Sequence, residues 1–318
     1  ADGTITASDI SASEVKNLKS GRKNLIINGG FDVWQRGTSF TASTGYTADR
    51  WTTNTSTETI NITKSSDGMQ VDVVTGNNYG GIIQKVEGLH KLRGKTVTMS
   101  YDIRGGQGST GIVPANFRSY IVERVNGAWT EYHYSAILTT LSTSWQRFSA
   151  TYTLGNNTAS DAEDYLHCVF QQTTGNSSGC DFEIANVQLE LGSVATDFEH
   201  RSYGEELALC QRYWQQSYEI GTQAGTATSA GCYQNRTGSS TSSMYRHITL
   251  PVGMRTSPTI KLYGTSSTTN TVGKWRGSGD TAISMSSSYP SHNSFNVNGN
   301  MNQSYTYLSG HWTADAEL

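Results

Sequence analysis

Charge is scarce in this 318-residue chain: 15% of its residues are Asp, Glu, Lys or Arg, and the formal net charge is −3. No basic stretch is available to grip a phosphate backbone, so nucleic acid is not an expected partner. Long apolar runs are missing too. None approaches the roughly 20 residues of a membrane-spanning helix, so membrane insertion is not expected, and no signal-peptide pattern is visible. Ala1 stands where a Met would be expected, which fits a fragment of a longer chain. Cysteine is rare, with four residues, and so is proline. Cys168, Cys180, Cys210 and Cys232 show no CxxC or CxxH spacing. The expectation is therefore buried free thiols, made in a reducing cytoplasm, rather than a zinc site or a disulfide framework.

What the chain does have is turn and strand chemistry. It carries 33 Gly, 17 Tyr and 7 Trp, with abundant Thr, Ser and Asn, a composition that suits strands and turns better than helices. Its length allows two domains, each able to bury a core. Residues 1–22 are small and polar, with Ile5, Ile10, Val15 and Leu18 as their sizeable apolar side chains. One chain gains little from burying four such groups, so this segment reads as a disordered linker or as a stalk wound from three chains.

Residues 23–202 deliver short alternating strands bounded by turn residues. Strands are expected at 25–27, 59–63, 69–73, 82–86, 96–103, 118–125, 145–154, 165–171 and 180–189, with Asn126-Gly127 as the strongest hairpin signal. Roughly nine or ten strands with no convincing helix between them predict an all-β two-sheet sandwich or jelly roll. Residues 203–219 hold the one credible helix, with Glu205 and Glu206 favouring its first turn and Leu207, Cys210, Tyr213 and Trp214 sharing a face. It reads as a linking helix packed between two domains, or as a three-chain seam that needs its neighbours' support. Residues 220–318 form a second block, with strands expected at 244–252, 258–263, 273–276, 294–298 and 304–308. Its poverty in Leu, Ile and Val predicts a thin core in a lone chain, and hence a smaller, trimeric β-sandwich.

Several strings resemble a known family. Asn24-Leu25-Ile26-Ile27-Asn28-Gly29-Gly30-Phe31-Asp32 resembles the opening strand of carbohydrate-binding-module jelly rolls. Trp145-Gln146-Arg147-Phe148 and the run 181–192 resemble an internal strand and the closing strand of the same fold. Read on through Trp34-Gln35-Arg36-Gly37 and Tyr46-Thr47-Ala48-Asp49-Arg50-Trp51, the opening string resembles the version in tail-fibre and receptor-binding proteins of tailed bacteriophages. The runs 2–6, 193–213 and 310–318 are similar to segments of those proteins as well. The resemblance implies a virion protein, made in the bacterial host cytoplasm. It would assemble as a homotrimer with other tail proteins and attach through its jelly roll to host-surface carbohydrate. A structural or decoration appendage of head or tail is the alternative, and a polysaccharide depolymerase is a third reading.

Catalysis finds little support in the residues. There is no GxSxG, HExxH or phosphate-cradling loop. Asp161, Glu163 and Asp164 crowd one stretch that reads as a solvated loop, with an ion site or a catalytic role as alternatives. A sugar site needs exposed rings beside polar side chains. Trp34, Trp51 and Trp145 are expected in the core. The candidate sugar-binding residues are Arg118, Tyr120, Trp129, Tyr132 and Tyr134 around the Asn126-Gly127 turn, with Tyr79 as a further one. Subunit contact or ordinary packing is the competing reading for all six. The resemblance also implies a structural calcium near Asp32, although the acidic partner usual on the last strand is replaced by Ala185, beside Asn186, and calcium takes six to eight oxygens.

Overall fold

The computed structural model describes residues 22–75, 79–138, 141–156, 164–173, 179–236, 244–299 and 307–318. The expected stalk therefore lies outside the described residues save for Arg22, as do Asp161 and Glu163 of the acidic stretch.

Two antiparallel sheets build the first domain. One runs, in hydrogen-bonded order, β1 (Ser39–Phe40), β3 (Thr59–Lys64), β4 (Met69–Thr75), β11 (Cys180–Leu191), β6 (Thr96–Gly105) and β9 (Gln146–Thr153). The other runs β2 (Trp51–Thr55), β5 (Gly80–Glu87), β10 (Tyr165–Gln172), β7 (Phe117–Val125) and β8 (Ala128–Tyr134). Period-two alternation sends one side of each strand inward. Ile60, Ile62, Val71, Val97, Met99 and Ile184 from the first sheet share one core with Ile82, Val86, Phe117, Ile121, Leu166 and Phe170 from the second. Rings fill its centre, with Tyr101 edge-on to Phe170 at 5.0 Å and Phe117 edge-on to Phe182 at 5.1 Å. The sandwich predicted from strand spacing is the fold observed. A single short helical turn, α1 (Leu89–Leu92), interrupts it.

The opening stretch differs from its expectation. Residues 25–27 run beside β11, but only Leu25 N–H bonds a β11 carbonyl there, Leu189 O at 2.8 Å. Side chains complete the pairing: Asn24 Oδ1 accepts from Leu189 N–H, and the Gln84 amide exchanges two bonds with the backbone of Ile27. The chain thus bridges both sheets instead of extending one ladder, which is why no regular strand forms. Asn28, at φ 58°, then turns it, and its buried amide donates to Val33 O and Asp49 O. Gly29 is required next, because a Cβ there would stand 2.1 Å from Val187 O of β11. Trp34 and Trp51 are buried as expected. Trp145 is not: it lies half-buried under the Arg104 guanidinium, 4.6 Å from the ring centroid, because it precedes β9 at the sheet edge.

The linking helix is shorter than expected. Helix α2 spans Tyr203–Gln211, capped by Ser202, and the chain then enters strand β12 (Trp214–Gln216). Its buried residues are Glu206 and Cys210, while Tyr213 is buried and Trp214 half-buried beyond its end, so the expected face of Leu207, Cys210, Tyr213 and Trp214 is not carried by one continuous helix. Instead Glu206 Oε1 accepts from the Asn28 N–H at 2.6 Å and pairs with Arg201. The helix is fastened to the first domain by a buried carboxylate.

In the second domain, β20 (Tyr307–Asp315) is the axis. It pairs with β12, β13 (Tyr233–Arg236), β15 (Thr259–Tyr263) and β16 (Lys274–Gly277), and β17 (Thr281–Ser284) follows β16. A second sheet orders β14 (Met244–Thr249), β19 (Ser294–Gly299) and β18 (Ser286–Ser288). Residues 310–315, within the run that resembles phage-fibre segments, thus lie in the middle of this domain. Its core is also less thin than its aliphatic poverty predicts. Trp275, Phe295, Trp312, Met244, Met254 and Met285 supply the volume, so rings and thioethers stand in for Leu and Val within one chain. Gly310 makes room for Trp275, since a Cβ there would lie 2.1 Å from the indole Cδ1.

The two domains meet at a joint of buried charge. Glu317 ion-pairs with Arg36 at 2.7 Å and with Arg50. Arg50 stacks on Tyr213 at 3.5 Å and donates to Lys85 O, while Arg36 covers Trp214 at 4.2 Å. Asp49 accepts from the backbone N–H and side-chain amide of Gln35, and burial raises its carboxyl to about 6 against the pull of Arg36. Gln35, Arg36, Asp49 and Arg50 of the opening stretch therefore serve this joint.

Candidate functional site

The hairpin β7–β8 turns through Asn126 (φ 50°) and Gly127 (φ 75°), the left-handed pair that a two-residue turn of this kind demands. Since Ile121 and Val125 face the core, Arg118, Tyr120, Val122 and Arg124 face outward. The register then aligns side chains in rows across the outer face of the five-stranded sheet. Trp129, Arg124, Tyr165 and Glu87 form one row; Tyr132, Val122, His167 and Lys85 the next; Tyr134, Tyr120, Val169 and Ile83 the third. Arg118, Gln171, Gly81 and Asn54 complete the fourth. A register shift between Glu123 and Arg124 is what brings Trp129 opposite Arg124.

These rings form a continuous surface. Tyr132 stacks with Tyr134 at 5.9 Å, Tyr134 meets Tyr120 at 5.1 Å, and Arg118 lies over Tyr134 at 4.8 Å. At the other end Trp129 meets the His167 edge at 4.5 Å, and His167 stacks on Tyr165 at 5.1 Å. Arg124 is held 5.1 Å above Trp129 and donates to Tyr165 Oη at 3.0 Å. Trp129, Tyr132 and Tyr134 remain 46%, 51% and 54% exposed, so a ligand has ring surface to cover. Tyr79 is exposed just before β5, within electrostatic reach of Tyr120. All six candidate sugar-binding residues thus belong to one surface, five on two adjacent strands and Tyr79 at its border.

Sequence reading missed Lys85, Arg124, Tyr165, His167 and Gln171, which share this face. Gln171 Oε1 accepts from Tyr120 Oη at 3.2 Å and also bonds the Asn54 amide. Burial pushes the Tyr120 phenol up to about 12, with Tyr134 adding to the shift. His167 is pulled down to about 3 by burial and then by Lys85 and Arg124, so its ring is neutral. Its Nε2 is buried and has no hydrogen-bond partner. Beside it lies a cavity of about 340 Å³ lined by Lys85, Arg124, Gly127, Tyr165, Arg255, Glu317 and Leu318, so the second domain closes one end of the face.

Asp32 is exposed, away from this surface, and its carbonyl accepts from Lys64. Ala185 is buried and the Asn186 amide donates to Asp102 at 2.7 Å. Among the described residues Asp32 belongs to no cluster of three His, Cys, Asp or Glu side chains; calcium also takes backbone and amide oxygens, which that grouping leaves aside. Among the described residues Glu123, Glu131 and His133 form the one such cluster, beneath the hairpin, with His133 Nε2 2.7 Å from Glu123 Oε1.

Comparison with known proteins gives modest likenesses. The C-terminal family 22 carbohydrate binding module of Clostridium thermocellum Xyn10B is similar at 14% identity, covering 50% of this chain and 97% of that one, with a TM-score of 0.35. The CBM22-1 xylan-binding domain from Paenibacillus barcinonensis Xyn10C shares 16% identity over 50% of this chain and 99% of its own, at 0.32. A cyclase from Fischerella sp. TAU shares 13% over 53% and 96%, at 0.37. No curated protein matches the chain. Residues 23–172 match the family described as "Carbohydrate binding domain", and that stretch, which stops short of β11, contains every residue of the four rows and supports carbohydrate binding.

Proposed function

We propose that this chain is a non-catalytic glycan-binding protein whose site is the outer face of the β2–β5–β10–β7–β8 sheet. The observation that carries the reading is the exposed run Trp129, Tyr132 and Tyr134, laid beside Tyr120, Gln171 and Arg118 within the segment that matches a carbohydrate binding domain. Pyranose rings present apolar C–H faces that cover such rings, while hydroxyls meet the amide and guanidinium groups between them. We further infer that the glycan belongs to a bacterial surface and that the chain is a tail-fibre or receptor-binding protein of a tailed phage, assembled as a homotrimer. That finer reading is supported by the resemblances in residues 24–51, 193–213 and 310–318.

Isothermal titration against bacterial surface polysaccharides tests the site. Trp129→Ala and Tyr134→Ala should each weaken binding about tenfold or more while leaving the thermal midpoint unchanged, because both rings are half-exposed. Unchanged affinity in both variants would remove the face from consideration. Light scattering tests the trimer, and a monomer would refute it. Released reducing ends from the polysaccharide would refute the non-catalytic assignment.

A further inference from the structure

The outer face is unbalanced in charge. Arg118, Arg124 and Lys85 project from it, and neither arginine has a carboxylate partner within ion-pair distance among the described residues. The acidic residue on its rows, Glu87, is already engaged by Arg212 at 2.7 Å and Arg255 at 3.4 Å. Glu317, at the rim of the cavity, is spent on Arg36 and Arg50. Arg118 Nε is buried without a hydrogen-bond partner, while the Lys85 ammonium meets the main-chain oxygen of Leu318, the last residue of the sequence, whose terminal carboxylate pairs with it. This local excess of positive charge stands on a chain whose formal net charge is −3.

Neutral sugars give such a site little to hold. Rings and side-chain amides suffice for C–H faces and hydroxyls, whereas guanidinium groups left without an anion at a partly buried surface are costly. Building on the glycan-binding reading above, we propose that the ligand of this face is an anionic glycan, a polysaccharide carrying carboxylate, sulfate or phosphate groups. One of its anionic groups sits in the cavity between Lys85, Arg124 and Arg255, and another lies along the chain at Arg118. The sugar rings between them cover Trp129, Tyr132 and Tyr134. His167, 7% exposed, stands in the row between Val122 and Lys85, and its buried, unpartnered Nε2 takes a ligand hydroxyl. Lys85 loses basicity first to burial and then to Arg50, with Glu317 opposing the effect and Arg124 and Arg255 adding to it. An entering anion relieves that repulsion.

The test pairs each acidic polymer with its neutral counterpart. Polygalacturonate and its carboxyl-reduced form, and dextran sulfate and dextran, are titrated into the full chain alongside an array of neutral and acidic bacterial polysaccharides. Binding is expected on acidic members and is expected to fall about tenfold or more when the charge is removed. It should also weaken as sodium chloride is raised past the range where the Debye length drops below about 8 Å. Arg124→Gln and Arg118→Gln should each cost about tenfold on the acidic ligand, with the thermal midpoint of each variant confirming the fold. Trp129→Ala should weaken the same binding about tenfold or more; attachment that it leaves unchanged is non-specific charge attraction and overturns the proposal. Neutral glycans bound as tightly as acidic ones, without salt dependence, overturn the anionic assignment and leave the glycan site standing. No binding to any glycan overturns both.

Discussion

Replacing Glu317 by alanine should loosen the joint between the domains more than any other single truncation there. The Glu317 side chain is 5% exposed, and its partners Arg50 and Arg36 are 1% and 9% exposed. Burial pulls the Arg50 pKa down, yet the Glu317 carboxylate, with Tyr213 and Tyr46, more than reverses this, so its net direction is upward. Taking away the carboxylate leaves two guanidinium groups in a site from which water is excluded. Arg36 would retain Asp49 at 3.6 Å, but Arg50 would keep only Lys85 O and the Tyr213 ring. Breaking a buried pair on one side costs about 3–5 kcal/mol, a sizeable share of the roughly 5–15 kcal/mol that holds a domain. Glu317→Gln keeps one acceptor and should cost about 1–3 kcal/mol. Calorimetry reads both: the Ala variant should lower the main transition by about 10 °C and separate it into two as the domains uncouple. An Ala variant within about 0.5 kcal/mol of the parent, inside the range of ordinary surface changes, would show that the cluster contributes no net stability.

Other expectations follow from individual sites. The His167 value lies below the ordinary one, so folding favours its neutral ring; that stabilisation is complete above about pH 6.5 and is lost as pH falls toward about 3. Its imidazole NMR signals should therefore stay fixed from pH 8 to about pH 5, and a midpoint near 6.5 would contradict the packing against Lys85 and Arg124. Cys168 and Cys180 are buried with thiols pushed up to about 12, and Cys210 is buried with its thiol raised well above the usual range. Only half-buried Cys232 should be alkylated in the native protein, as peptide mass mapping would reveal. Gly310→Ala places a methyl group 2.1 Å from Trp275 Cδ1 and should cost about 1–3 kcal/mol or more in urea unfolding. A neutral outcome would mean that β20 shifts freely.

Much of the first domain can be read from the chain because its signals are local. Alternation in 96–103 and 165–171, and the φ > 0 demand at Asn126-Gly127, depend on neighbours in sequence. The ring cluster is half legible for the same reason: Tyr132 and Tyr134 alternate on one strand directly after that turn. Lys85, Tyr165 and His167 escape because only the pairing of β10 between β5 and β7 places them beside it, and pairing order is not written in any one segment. A retrospective hint exists in β10, where large polar residues at 165, 167 and 171 alternate with Leu166, Cys168 and Phe170. The domain joint is less legible still. Arg36 and Glu317 are 281 residues apart, and a lone acidic residue near the end of a sequence resembles any solvated one. The second domain's core is poorly legible for another reason: its Leu, Ile and Val content does not show what Trp275, Phe295 and three methionines fill.

The Glu317 contact with Arg36 and Arg50 bears on how far the sugar-binding unit is portable. Sequence boundaries suggest a module that could be cut at residue 202 and grafted elsewhere. Such an excised piece would lose the anion that neutralises two interior arginines, and the residues Arg255, Glu317 and Leu318 that wall one end of the groove. Grafting the face onto another chain therefore has to carry residues 23–318 together, or rebuild the groove wall from the new neighbour.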